Sequence, residues 1–125
     1  MTMRDVAIIA TAQRPSQAHT SLTSVELMFP VINEVIERSG LERREIGFWC
    51  HGSCDYMSGQ PFSFVSAVDA LGAWPPIVES HVEADGAFAL YEAWVKLQTG
   101  ECDTALVFSN GKTSAGPIDR ILTLQ

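Results

Sequence analysis

Apolar and polar positions along this chain fall into short strand-like runs separated by helical stripes. Val6 to Thr11 is an apolar run rich in β-branched residues and predicts a buried strand. Gln13 to Ser21 is polar, contains Pro15 and predicts a loop. Thr23 with Glu26 three residues on has the form of a capping box. Leu27, Met28, Val31, Ile32, Val35 and Ile36 then share one helical face, and Gly40 ends it. Pro30 inside that stripe predicts either a kink or a late start near Phe29. Ile46 to Cys50 predicts a short second strand, and His51 to Pro61, rich in Gly and Ser, a loop. Phe62, Val65, Val68 and Leu71 recur at helical spacing up to Gly72. Trp74-Pro75-Pro76 predicts an extended connector, because a residue before proline avoids the helical region.

The stretch from Pro76 to Ser114 organises the rest. Ile77 to Val82 and Thr104 to Phe108 are strand-like, the second apolar enough to be buried on both faces. Between them Ala87, Leu90, Tyr91, Trp94, Val95 and Leu97 recur at helical spacing, with Gly100 as the stop. Ala89 and Ala93 share one face while Leu90, Tyr91 and Trp94 carry bulk, which predicts a helix enclosed nearly all round. Parallel strands joined through a helix take a right-handed crossover. The full order, β-α-β-α-β-α-β, predicts an α/β layered fold with a mostly parallel sheet.

Composition narrows the function classes. The 125 residues suffice for one core, and 46% of them are hydrophobic. A net charge of −7 argues against nucleic acid and against a polybasic membrane anchor. No apolar run is long enough for a transmembrane helix. Asp5 and Gln13-Arg14-Pro15 bracket the first apolar run, which reads as a strand and not a signal peptide. Three cysteines, an odd count, suit reduced thiols in a cytoplasm.

The chain resembles the amino-terminal half of the thiolase superfamily, with the sterol-carrier or lipid-transfer branch most similar. The resemblance rests on an ordered set of motifs. These are the turn Glu83-Ala84-Asp85-Gly86, the helix alanines Ala87, Ala89 and Ala93, and Gly100-Glu101-Cys102-Asp103. The strand Thr104–Phe108 and Asn110-Gly111-Lys112-Thr113-Ser114 follow, and Val6 to Pro15 is similar to the family's first strand. The family's nucleophilic cysteine falls at Glu83. The resemblance implies residues 1–125 as the amino-terminal part of a thiolase-like domain, a fragment of a longer chain. It implies acyl-CoA thioesters as substrates in lipid or sterol side-chain catabolism, with coenzyme A entering only as part of the substrate. Without the cysteine, thiolysis gives way to carbon–carbon cleavage of retro-aldol type. It also implies a homodimer or heteromer through the 77–82 strand and a small partner protein of the DUF35 type. The alternatives are a non-catalytic thiolase-like partner subunit, a lipid-transfer or acyl-CoA-binding protein, or an unrelated α/β binding domain.

Candidate chemistry is sparse. Glu83 is a carboxylate at a strand-to-helix turn, either a base or a residue favoured by the helix dipole. His81 lies two residues earlier, on the same strand face, and forms with Glu83 a candidate acid–base pair; the alternative is a histidine at a subunit contact. Cys50, His51 and Cys54 lack the second ligand pair that zinc needs, so no metal site is assigned. Cys102 lies at the far end of the helix, roughly 25 Å from Glu83 at about 1.5 Å per residue, and cannot replace a nucleophile there. Lys112 is a lone cation in a turn, and Tyr91 and Trp94 read as core. A Ser-His-Asp set cannot be assembled from three dispersed histidines by spacing alone.

Overall fold

The computed structural model of the chain describes residues 2–17, 20–59, 61–111, 117, 119–120 and 123. Helix α1 spans Ser24–Ser39. Its capping box is closed in both directions: Thr23 Oγ1 accepts from the Glu26 N–H at 3.2 Å, and the Thr23 N–H donates to Glu26 Oε2 at 2.7 Å. Pro30 therefore sits in the helix interior, on the exposed side, and the late start near Phe29 does not occur. A 3-10 turn, Arg43–Glu45, leads to β1 at Phe48–Ser53. The short helix α2, Asp55–Ser58, and α3, Val65–Leu71, connect β1 to β2 at Glu79–Glu83. Helix α4, Gly86–Thr99, connects β2 to β3 at Ala105–Ser109.

The three strands form one parallel sheet in the order β2-β1-β3. The fold is α/β with helices on both faces, as the pattern predicts. Because β1 is central, its six buried residues divide between two cores. Trp49 joins Met28, Ile32, Ala67, Ala70, Leu71 and Leu106 beneath α1 and α3. Phe48 and Cys50 meet Ala89 and Ala93 of α4 on the other face. Alanines at those two helix positions let α4 lie close to the sheet, and Ala89 is 0% exposed.

Several expectations are corrected. Val6 to Thr11 is not a strand of the sheet, so the four-strand order reduces to three among the described residues. Val6, Ile8 and Ile9 are exposed. The segment is held at its ends by polar contacts. Arg4 exchanges backbone hydrogen bonds with the Gln98 side chain at 2.8 and 2.9 Å and ion-pairs with Asp103, while Arg38 donates to the Thr11 carbonyl at 2.8 Å. β-propensity describes fitness for a packed surface, and here no surface covers the side chains. The second strand runs on through His51, Gly52 and Ser53, residues whose polarity predicts a loop. Helix α4 is not enclosed: Ala89 and Ala93 are buried, but Phe88, Leu90 and Tyr91 are at least half exposed, and Tyr91 and Trp94 stack on each other outside the core. No helix among the described residues is long and apolar enough to cross a membrane.

Candidate active site at the carboxyl ends of β1 and β2

In a parallel α/β sheet, ligands bind beyond the carboxyl ends of the strands. Here the α1/α3 face of that end carries the histidines. Register aligns His51 with His81 on one side and with Phe108 on the other. Side chains alternate, so all three point to the α1/α3 face and form a row across the sheet. The His51 ring stacks on Phe108 with centroids 4.7 Å apart and lies 5.4 Å from His81, and Phe64 stacks on His81 at 4.9 Å.

His51 is 3% exposed. Its Nε2 lies 2.8 Å from Asn110 Oδ1, which makes Nε2 the donor and leaves Nδ1 as a buried acceptor with no protein partner among the described residues. Burial pushes its pKa below the ordinary histidine value; the Asn110 bond opposes this and the nearby His81 adds to it. His51 is accordingly neutral at neutral pH.

His81 takes a different set of partners. Its Nε2 is 2.9 Å from Ser53 Oγ, a diagonal neighbour on the same sheet face. Ser53 Oγ is also 3.1 Å from Ser63 Oγ, and Ser63 Oγ donates to Asp55 Oδ1 at 2.6 Å. Asp55 further accepts the Ser63 N–H at 2.8 Å on Oδ1 and the Phe62 N–H at 2.7 Å on Oδ2. Desolvation pushes the Asp55 carboxyl up, but the Ser63 hydroxyl and these two N–H groups outweigh it and hold the group below the usual carboxylate range. Asp55 thereby fixes the turn before α3, including Phe62 at φ 57, a left-handed conformation that a bulky residue seldom adopts.

Glu83 ends β2, opposite Ser53 in register, and accepts the Asp55 N–H on Oε1 at 2.6 Å. Glu83, His81 and Asp55 line one cleft of about 810 Å³, with Tyr56, Phe62 and Phe64 as its aromatic wall. The structure thus brings the two sequence-predicted residues, His81 and Glu83, to the same cleft. His81 turns inward to Ser53, as an internal hydrogen-bonding residue. Two glycines make this convergence possible. A Cβ on Gly52 would lie 2.2 Å from the Asp85 carbonyl oxygen, and one on Gly86 would lie 2.9 Å from Ser109 Cβ.

The start of α4 is not an open donor site. Asp85 is its N-cap, and its Oδ1 accepts the Ala87 and Phe88 N–H groups at 2.9 and 3.2 Å. The Ala87 and Phe88 donors at the start of α4 are therefore already engaged. The cysteines stay apart from the cleft chemistry. Cys50 is buried against α4, Cys54 precedes α2, and Cys102 packs at the opposite end of α4. No group of three or more metal-ligating side chains occurs among the described residues. Lys112 lies outside the described residues.

Sequence reasoning missed Ser53, Ser63 and Asp55. Ser53 falls in the predicted 51–61 loop and Ser63 in the predicted helix from Phe62, which starts only at Val65; register sets Ser53 beside His81, and the 62–64 turn sets Ser63 beside Ser53. No protein-family description, curated protein or solved structure matches the chain.

Proposed function

We propose that the chain is a thiolase-like protein that handles acyl-CoA thioesters and, with a partner, cleaves a carbon–carbon bond of a β-hydroxyacyl-CoA by a retro-aldol route. The observation that supports this most is the meeting of His81 and Glu83 in one aromatic-walled cleft at the strand ends. The reaction needs a base for the β-hydroxyl proton. As that proton leaves, the Cα–Cβ bond breaks, Cβ becomes a ketone or aldehyde, and the electron pair passes to the thioester as an enolate. A proton returned to Cα completes the shortened acyl-CoA. No thiolate is required, which agrees with a glutamate at position 83. With the Ala87 and Phe88 N–H groups taken by Asp85, enolate stabilisation falls to a partner of the DUF35 type.

The test is incubation of the chain with a panel of branched β-hydroxyacyl-CoA thioesters, alone and with a DUF35-type protein. Mass spectrometry would follow the shortened acyl-CoA and the carbonyl product. Product formation that falls at least 100-fold in His81→Ala is expected. No product from any member of the panel, with or without the partner, would overturn the reading.

A second reading, a non-catalytic partner subunit in a homodimer or heteromer, has its own support. β2 is an edge strand and presents exposed Val78 and Glu79 at its start. An unpaired edge favours association. Exposed Phe88, Leu90 and Tyr91 on α4 add an apolar patch. Light scattering after size exclusion should give a mass of at least two chains; a monomer at all concentrations would remove the 77–82 strand as an interface.

A further inference from the structure

The proton inventory of the Asp55–Ser63–Ser53–His81 chain has only one consistent solution. Asp55 accepts two backbone N–H groups and a hydroxyl, so it acts only as an acceptor. Ser63 has one hydroxyl proton, and the 2.6 Å contact to Asp55 Oδ1 uses it. Ser63 Oγ can then only accept from Ser53, 3.1 Å away. That contact in turn uses the single hydroxyl proton of Ser53. The remaining contact, 2.9 Å from Ser53 Oγ to His81 Nε2, is a hydrogen bond only if Nε2 carries the proton. Were Ser53 to donate to His81 instead, its contact with Ser63 would hold two lone pairs and no proton. Ser53 and Ser63 are both buried, so water cannot supply the difference.

We infer that Asp55, Ser63 and Ser53 form a one-way hydrogen-bonded chain that keeps a proton on His81 Nε2 and makes Nδ1 the proton-accepting atom of the cleft. The three are positioning residues: they act through His81. Ser53 is therefore not a nucleophile, since its proton points away from the imidazole that would have to remove it. Glu83, whose Oε1 accepts the Asp55 N–H, stands beside His81 as a second acceptor of the cleft. Resting on the retro-aldol reading, the step is balanced. His81 Nδ1 takes the β-hydroxyl proton as the carbon–carbon bond breaks, the imidazolium keeps its Nε2–H on Ser53, and Nδ1 returns the proton to the enolate carbon.

The chain polarity is testable without turnover. Nitrogen-15 NMR of histidine-labelled protein at mildly alkaline pH distinguishes the two neutral tautomers. His81 should show the Nε2–H pattern in the parent. Ser53→Ala should shift it towards a mixture while the backbone amide spectrum stays native-like, and Ser53→Thr, which keeps the hydroxyl, should restore it. A fluorophosphonate probe should leave Ser53 unmodified. A His81 Nδ1–H tautomer in the parent, an unchanged tautomer in a folded Ser53→Ala, or phosphonylation at Ser53 would each overturn the inference. Because the parent spectrum alone decides the polarity, a variant that fails to fold does not shelter it. An Nε2–H tautomer in a protein that cleaves no β-hydroxyacyl-CoA would support the chain while refuting the lyase reading.

Discussion

The two faces of β1 use six consecutive buried residues for opposite purposes. Towards α4 the strand shows Phe48, Cys50 and Gly52: an aromatic ring, a thiol and no side chain at all. That face narrows until β1 and the α4 turn touch, and nothing on it titrates near neutral pH; the Cys50 thiol is pushed up to about 12 by burial and then by the nearby Glu92. Towards α1 and α3 it shows Trp49, His51 and Ser53, passing from a closed apolar core to a polar network that opens on the cleft. A central parallel strand is sealed on both faces along most of its length. Polar chemistry therefore accumulates at its carboxyl end, on the face where the covering helix starts late. Here α3 begins at Val65 behind the Asp55-anchored turn, which leaves room for His81 and Glu83.

The largest test of this contrast is Trp49→Ala. Trp49 is 0% exposed and central to the α1/α3 core, so its removal should cost about 3–5 kcal/mol in a urea melt. A loss below about 1 kcal/mol, far outside that range, would mean that α1 and α3 do not depend on the strand. Next, Ala89→Leu should cost about 1–3 kcal/mol by overpacking the close α4 face, whereas Leu90→Ala, on the exposed side, should change the urea midpoint little. Equal effects from the two would erase the difference between the buried and exposed faces of α4.

A smaller effect concerns acid. The folded-state pKa of His51 is depressed, so its contribution to stability is complete above about 6.5, the ordinary histidine value. That contribution is lost as pH falls from there through the lowered folded value, because the unfolded chain takes up the proton first. Urea midpoints measured on both sides of that window should fall on acidification in the parent and fall less in His51→Phe, which retains a ring against Phe108. Parallel slopes would place the acid sensitivity elsewhere. The smallest effect is chemical. With its thiol at about 12 and no exposed surface, Cys50 should resist a disulfide reagent in the native state and react only in denaturant, while Cys54 and Cys102 react before it. Rapid native labelling of Cys50 would show that the α4 face opens.

How much of this was legible in the chain depends on the range of the signal. The Thr23–Glu26 box, the Gly40 and Gly100 stops and the Ala89/Ala93 stripe are local, and each sits where the spacing places it. That His81 and Glu83 lie on one strand face was legible too, from their two-residue offset, although His81 bonds Ser53 and Glu83 bonds Asp55. His51-Gly52-Ser53 was not, because its composition is that of a loop; it becomes strand through ladders with β2 and β3 on both sides. Val6 to Thr11 errs in the other direction, with strand composition and no place in the sheet.

By itself, then, the sequence determined the helices at α1 and α4 and where they stop, the helical stripe of α3, and that a carboxylate stands at the strand-to-helix turn, whereas the short helix α2 falls in the predicted 51–61 loop. Those properties depend on residues within a few positions of one another. The tertiary structure alone decided that Ser53 meets both Ser63, ten residues on, and His81 of another strand. It alone decided that Asp85 occupies the donors of α4 and that the outer face of α4 stays uncovered. Hydrogen-bond polarity belongs to a closed set of donors and acceptors, and that set exists only once distant segments share a register.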